Sequence, residues 1–148
     1  MIAATLRRVA IALTLLTLPL ADLAFAGDPA GTWFTDEGKA RVRIADCGGA
    51  LCGTIIWLKE PNDDAGKPKT DVHNVDASKR SRPIIGVPIV LGMKPTGTPD
   101  KWTGQVYNAE DGKTYSGSLT LTGPSKLDLQ GCALGGLVCK TQSWTRAN

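Results

Sequence analysis

The chain has 148 residues, the length of about one domain. Its 17 basic and 14 acidic residues give a net charge of +3, a balance without the clustered basic face that nucleic-acid-binding proteins usually require. Its 17 glycines and 9 prolines make long helices improbable and favour short strands joined by turns. Length and composition therefore argue against a multi-domain enzyme and a nucleic-acid-binding protein.

Residues 1–26 have the features of a secretory signal peptide. Arg7 and Arg8 precede an apolar run over residues 9–20, and residues 24–26 form a small-x-small cleavage site. The run is shorter than the roughly 20 residues of a membrane-spanning helix, and no later segment is apolar enough to span. We expect cleavage after Ala26, which leaves residues 27–148 as one domain with 15 basic and 13 acidic residues. The expected location is the periplasm or the medium.

The mature chain repeatedly alternates apolar and polar residues with a period of two, the pattern of half-buried strands. Ala40, Val42 and Ile44, for example, alternate with Arg41 and Arg43. Turn signals divide the chain into eight predicted strands, near residues 31–35, 39–46, 53–58, 85–93, 102–108, 114–121, 126–131 and 138–146. No window carries the apolar stripe of an amphipathic helix. The pattern predicts an all-β domain.

Short antiparallel turns join nearly all of these strands, which favours a closed, eight-stranded up-and-down barrel. The interior of such a barrel is just wide enough for packed side chains or one small ligand. A two-sheet sandwich is the alternative, but its Greek-key connections need long crossovers. Only one long connection is present, residues 59–83.

We call residues 59–83 the lid segment. Loops of this length are usually functional or disordered. Asp76 is positioned to cap a short helix over residues 77–80, and Pro83 would end it. On a barrel, the lid segment is expected to lie across one mouth.

The four cysteines occur in two pairs, Cys47 with Cys52 and Cys132 with Cys139, and each pair brackets a glycine-containing loop between two predicted strands. Export to an oxidising compartment favours disulfides. Four cysteines allow three pairings, and sequence alone does not choose among them. The local pairings 47–52 and 132–139 are preferred because a turn already brings each pair together. A four-cysteine zinc site is the alternative, but its usual spacings are shorter.

The single histidine, His73, forms the motif Asp-x-His-x-x-Asp with Asp71 and Asp76. A metal site needs three or four convergent ligands, and this chain offers one imidazole. A hydrolase built on His73 and the lid carboxylates is least favoured, since no Gly-x-Ser-x-Gly elbow is present. The preferred interpretation is a polar loop whose short side chains cap turns. We expect no enzymatic activity, no metal and no cofactor.

Aromatic residues on the strands are better candidates, because a small-molecule site is usually an apolar pocket with a few polar groups. By parity, Trp102 and Tyr107 face opposite sides of their strand, so only one of the two should line the interior. Arg82, at the end of the lid segment, could bind an anionic ligand group or tether the lid segment by pairing with Asp71 or Glu60. The candidate ligand-binding residues are Trp57, Asp71, Asn74, Arg82, Trp102, Tyr107 and Tyr115.

Two sets of residues resemble known families. Gly31-x-Trp33 on the first strand, with Arg146 on the last, resembles the lipocalin and calycin signature, in which the Trp packs under the Arg at the closed end of a barrel. Longer stretches resemble the exported bacterial family known as domain of unknown function 2147; they are residues 31–33, 47–53, 56–58, 71–74, 82–86, 102–108, 111–115 and 141–146, the last of which includes Trp144. This resemblance spans roughly residues 30–146. It implies a lipocalin-like barrel in the bacterial cell envelope and no known activity.

These observations lead to two functional hypotheses. The first is an exported, lipocalin-like protein that binds a small apolar or amphipathic ligand, with Trp57, Trp102 and Tyr115 lining the pocket. The alternative is a cell-envelope interaction module with a filled barrel, whose surface binds a protein or cell-wall partner. Neither hypothesis involves nucleic acid or a transmembrane segment.

Overall fold

The computed structural model describes residues 27–147, which form eight β-strands and three short 3-10 helices. The predicted signal peptide lies outside the described residues. The strands are β1 (Gly31–Phe34), β2 (Ala40–Asp46), β3 (Leu51–Leu58), β4 (Pro88–Pro95), β5 (Lys101–Asn108), β6 (Lys113–Gly123), β7 (Lys126–Ala133) and β8 (Val138–Arg146). The 3-10 helices are Asp36–Gly38, Ala77–Lys79 and Leu134–Gly136. Within residues 27–147, no helix has the length and apolar character needed to cross a membrane.

Each strand pairs antiparallel with the next, and β8 pairs back onto β1, so the sheet closes on itself. The predicted eight-stranded barrel is confirmed, and the two-sheet sandwich is excluded. Successive turns lie at opposite ends of an up-and-down barrel. The long β3–β4 connection therefore lies at the same end as the β1–β2, β5–β6 and β7–β8 turns, and we call this the lid end.

Apolar side chains form the core inside the barrel. The alternation in β2 places Val42 and Ile44 inside and leaves Arg41 and Arg43 exposed. Apolar side chains less than 2% exposed are Trp33, Val42, Ile44, Val87, Val90, Met93, Leu119, Leu127 and Trp144. The packing leaves no room for a methyl group at Gly53, where a Cβ would lie 2.9 Å from Val90 Cβ. Such a core matches the narrow interior expected of eight strands.

Arg146 closes the end opposite the lid. Its guanidinium carbon lies 4.2 Å from the centre of the Trp33 ring, and its side chain donates hydrogen bonds to the carbonyl oxygens of Asp28, Ala30 and Pro124. Gly31 adopts a φ of +132°, and a Cβ there would lie 2.9 Å from the Arg146 guanidinium. The Gly-x-Trp and Arg residues therefore meet as the lipocalin resemblance implies.

Both preferred disulfides are present, with Cα–Cα distances of 5.8 Å for Cys47–Cys52 and 4.1 Å for Cys132–Cys139. The first closes the β2–β3 turn and the second closes the β7–β8 turn. Since all four cysteines are oxidised, the four-cysteine zinc site is excluded. Loops this small contribute roughly 2 to 2.5 kcal/mol each in the chain-entropy description.

The β3–β4 connection runs over residues 59–87 and contains the lid segment. Asp76 caps the 3-10 helix Ala77–Lys79 by accepting a hydrogen bond from the Ser78 amide, as predicted. Strand β4 begins at Pro88 rather than near residue 85, because residues 84–87 form a turn in which the Val87 amide donates to the Ile84 carbonyl oxygen. Hydrogen bonds of Gly86 and Val87 with Ile55 of β3 fix the point at which the chain rejoins the barrel after the lid segment.

Candidate functional site

Three lid residues and one strand residue that were predicted as ligand contacts meet at one point: Asp71, Asn74, Arg82 and Tyr107, here called the Asp71 cluster. Backbone hydrogen bonding brings Asp71 to Arg82, because the Asp71 amide donates to the Arg82 carbonyl oxygen at 2.9 Å. Tyr107 comes from β5. It has the opposite parity to the buried Val106, so it points away from the barrel interior and is buried by the lid segment.

The Asp71 carboxylate is completely buried and accepts hydrogen bonds on both oxygens. The Tyr107 hydroxyl donates to Oδ1 at 2.6 Å, and the Asn74 amide donates to Oδ2 at 2.8 Å. Arg82 donates from Nε to Oδ2 at 2.9 Å, with Nη2 2.8 Å from the same oxygen. The Asn74 amide also donates to the Tyr107 hydroxyl at 3.0 Å. Each buried polar group therefore has a partner, as buried polar groups require.

The surroundings hold Asp71 ionised and Tyr107 neutral. Burial by itself raises the pKa of Asp71, but the hydrogen bonds from Tyr107, Asn74 and Arg82 and the charge of Arg82 outweigh it, so this pKa lies below 3.8. Burial raises the pKa of Tyr107 to about 12, and its hydrogen bond to the charged Asp71 acts in the same direction. Neither group titrates near neutral pH, where a general acid or base would need to.

The Asp71 cluster has the properties of a tether for the lid segment. It is fully hydrogen-bonded, and only Arg82, whose side chain is 33% exposed, offers free N–H groups to solvent. His73 is exposed and Asp76 caps its own helix, so the Asp-x-His-x-x-Asp residues diverge. In residues 27–147, no group of three or more His, Cys, Asp or Glu side chains is arranged to hold a metal ion.

Comparison with known proteins places this barrel in a family. The family model "Uncharacterized protein conserved in bacteria (DUF2147)" matches residues 31–146, from the first residue of β1 to the last of β8. The chain belongs to this family.

A solved structure resembles this DUF2147 barrel with a TM-score of 0.69 and 23% sequence identity, over 82% of this chain and 84% of that chain. It is the protein HP1028 from the human pathogen Helicobacter pylori, described as belonging to the lipocalin family. The likeness shows that the fold is lipocalin-like. Comparison with curated proteins gives no match.

The expectation that Trp57 lines the interior of the DUF2147 barrel is wrong. Between β2 and β3 the register shifts, so that Val42 pairs with Ile55 while Arg41 pairs with Trp57, and Ile56 is the extra residue of a bulge. Without the bulge, Trp57 would share the inward face of Gly53 and Ile55. With it, Trp57 lies on the outer surface and is 36% exposed.

The two other predicted pocket residues lie on the inward face without forming a pocket. Trp102 is half-buried, pairs with Leu119 across β5 and β6, and packs against the core. Tyr115 pairs with Val106 near the lid end, and its hydroxyl donates to the carboxylate of Asp111 in the β5–β6 turn. Neither of them touches the Asp71 cluster through a hydrogen bond, so the seven candidate residues do not form a single site.

Two surface depressions lie outside the barrel. One is on the polar outer face of β5–β8, lined by Lys101, Ser118, Thr120, Asp128, Gln130 and Thr141. The other is at the closed end, lined by Gly27, Asp28, Ala30, Asp100, Leu121, Thr122, Gly123, Pro124 and Arg146. None of the seven candidate ligand-binding residues lines either depression.

Sequence reasoning did not find a cluster on the outer face of β1–β3. Phe34 and Trp57 pack edge to face with ring centres 6.5 Å apart, and the guanidinium of Arg41 lies over both rings. The alternation of β2 showed that Arg41 faces outward. The position of Trp57 beside Arg41 depends on the β3 bulge, for which the sequence has no clear signal.

Proposed function

We infer that this DUF2147 protein is a non-enzymatic binding module of the bacterial cell envelope that recognises its partner with its outer surface. The packed core carries this proposal. The barrel is packed with large side chains such as Trp33, Met93 and Trp144, each no more than 1% exposed. A ligand of drug-like size needs a cleft of roughly 300 Å³ or more, and a ligand inside the barrel would have to displace this core.

A non-catalytic role is supported by the chemistry of the Asp71 cluster. Its carboxylate has both oxygens occupied, and its tyrosine keeps its proton at neutral pH. Binding proteins need no titrating group, whereas acid–base catalysis depends on one with a matched pKa. The cluster is suited to holding the lid segment against β5.

Placement in the periplasm follows from the predicted signal peptide and is supported by the two disulfides. Structural disulfides persist in oxidising compartments such as the bacterial periplasm and are rare in the cytosol. A barrel in which disulfides close two of the hairpins is well suited to that environment.

The rival hypothesis, a carrier of a small apolar ligand, makes an opposite prediction that dye binding can test. N-phenyl-1-naphthylamine fluoresces when it enters an apolar cavity. We expect the native protein to give no saturable signal, and Leu119→Ala, which opens space in the core, to give one. Val106→Ala is a milder second variant, since a Leu→Ala change in a core typically costs about 2 to 5 kcal/mol.

A saturable one-to-one signal from the native protein that disappears in Val106→Leu would establish an interior site and overturn the proposal. Native mass spectrometry of protein purified from its own periplasm provides a second test. We expect the bare polypeptide mass with two disulfides. A discrete lipophilic adduct on the native protein, absent from Val106→Leu, would again favour the carrier.

A further inference from the structure

The outer face of β1–β3 carries two arginines that have no acidic partner. Arg41 and Arg43 alternate with buried residues of β2 and both point outward. None of the ion pairs formed among residues 27–147 involves either guanidinium. Together with Phe34 and Trp57 they form a surface that we call the Arg41 platform.

Aromatic packing fixes the orientation of Arg41. Its guanidinium carbon lies 4.6 Å from the centre of the Phe34 ring and 4.9 Å from that of Trp57. Because the two rings are nearly perpendicular, the planar guanidinium can stack flat on at most one of them. Its N–H groups take part in no ion pair among residues 27–147, and these groups can bind a carboxylate or phosphate with two parallel hydrogen bonds.

A bulge holds Trp57 at the surface. The extra residue Ile56 turns the indole outward, so that Trp57 is 36% exposed while Trp33 and Trp144 are almost fully buried. Bulges often re-aim a side chain at functional positions. An exposed indole beside a fixed guanidinium offers a flat apolar face next to a positive charge.

Hydroxyl groups flank the second arginine. In the strand register, Arg43 pairs with Thr32 of β1 on one side and with Thr54 of β3 on the other. Residues two apart on a strand lie about 6.5 to 7 Å apart. The platform therefore combines two arginines whose backbone positions have that spacing, an aromatic face and nearby hydroxyls.

We propose that the Arg41 platform binds an acidic saccharide, in which a sugar ring stacks on Trp57 and its carboxylate or phosphate groups meet Arg41 and Arg43. This inference rests on the proposed surface-binding function and names the chemistry of the partner. A sugar ring has an apolar C–H face and a polar rim, which fit the indole and the threonine hydroxyls. An acidic peptide is a poorer match, because β1, β2 and β3 are paired on both sides and offer no free edge for strand addition.

The test uses trigalacturonate, a trimer of an acidic sugar, with isothermal titration calorimetry and tryptophan fluorescence. Its methyl ester, which has the same rings without the charges, and inorganic phosphate are the comparison ligands. We expect saturable binding of trigalacturonate, binding at least about tenfold weaker for the ester, and weaker binding still for phosphate, which lacks the ring.

Variants assign the binding to the platform. We expect Arg41→Gln to weaken trigalacturonate binding at least about tenfold, and Arg41→Lys to restore little of it because lysine cannot bind an oxyanion through a planar fork. The matched control Lys140→Gln removes one exposed positive charge from β8 and should change the affinity less than about twofold. Trp57→Phe should remove most of the fluorescence response while calorimetry still detects binding.

Four outcomes would overturn the inference: no binding of trigalacturonate, equal binding of its methyl ester, an equal loss in Lys140→Gln, or tighter binding of a tetra-aspartate peptide than of the saccharide. The last outcome would assign the platform to acidic peptides. All four outcomes are compatible with the surface-binding function, which fails if the native interior takes up the dye or carries a lipophilic adduct.

Discussion

Replacing Asp71 by alanine removes the acceptor around which the lid segment is organised. The change removes the acceptor of the Tyr107 hydroxyl proton and one acceptor of the Asn74 side-chain NH2, which keeps only its contact with the Tyr107 oxygen. The Arg82 guanidinium, a third exposed, can turn toward water. A buried donor left without its acceptor costs about 1 to 3 kcal/mol. With two such donors and little cost from Arg82, we expect a loss of about 3 kcal/mol.

For a domain of this size, each kcal/mol lowers the melting temperature by about 4 °C, so Asp71→Ala should melt about 12 °C below the native protein. Differential scanning calorimetry measures this shift, and trypsin cleavage after Lys79 or Arg80 reports whether the lid segment has come loose. Asp63→Ala is the matched control, because Asp63 lies in the same segment, is exposed, and caps only its own turn.

The Asp71 cluster also makes the stability of the protein depend on pH in the acidic range. The folded-state pKa of Asp71 is lowered, so its contribution to stability is present above about pH 4 and is lost as the pH falls through the folded-state value, below 3.8. The stability gap between the native protein and Asp71→Asn should therefore narrow below pH 4. If Asp71→Ala melts within about 2 °C of Asp63→Ala and the gap is constant with pH, Asp71 is not the tether.

Three other predictions concern separate parts of the barrel. Because the pKa of Tyr107 is raised to about 12, its contribution to stability is present below pH 10 and is lost as the pH rises toward 12; urea unfolding should show a smaller alkaline loss for Tyr107→Phe than for the native protein. Arg146→Ala removes three hydrogen bonds and the contact with Trp33; thermal melting should show a loss of about 2 to 3 kcal/mol, and a neutral result would mean that Trp33 alone closes this end. Replacing Cys132 and Cys139 by serine should cost about 2 kcal/mol in urea unfolding, and a loss below 0.5 kcal/mol would show that the hairpin is ordered without its staple.

Local patterns predicted most of the fold. Period-two alternation, as in Val42 and Ile44 against Arg41 and Arg43, specified strands with one buried face, and glycine-containing loops placed the cysteines close enough to pair. The barrel followed because short antiparallel turns leave few other ways to cover the edge strands. These features depend on residues that are close in sequence, and the sequence could therefore predict them.

The site was less predictable because it depends on contacts between distant residues. The pairing of Arg82 with Asp71 could be anticipated, but the packing of Asp71 against Tyr107, 36 residues away, depends on how the lid segment folds back onto β5. The parity rule correctly separated Trp102 from Tyr107. It could not show that the outward residue is the more buried of the two, since the lid segment and not the barrel covers it.

The prediction for Trp57 was wrong for a different reason. One extra residue in β3 inverts the facing of every residue beyond it, and nothing in Ile55-Ile56-Trp57 marks which isoleucine is the extra one. The wrong prediction that Trp57 lines the interior has this cause.

The pairing of β1 with β8, which closes the barrel, is the shortest strand pairing in it. Strands β1 and β8 pair at two positions, whereas β7 and β8 pair at eight. If this seam parted, both strands would present unpaired backbone to a second molecule, and β8 of each could complete the barrel of the other. Arg146 of β8 donates hydrogen bonds across this β1–β8 pairing to the carbonyl oxygens of Asp28 and Ala30. The side chain that caps the closed end therefore also holds β8 against the start of its own chain and disfavours strand exchange between molecules.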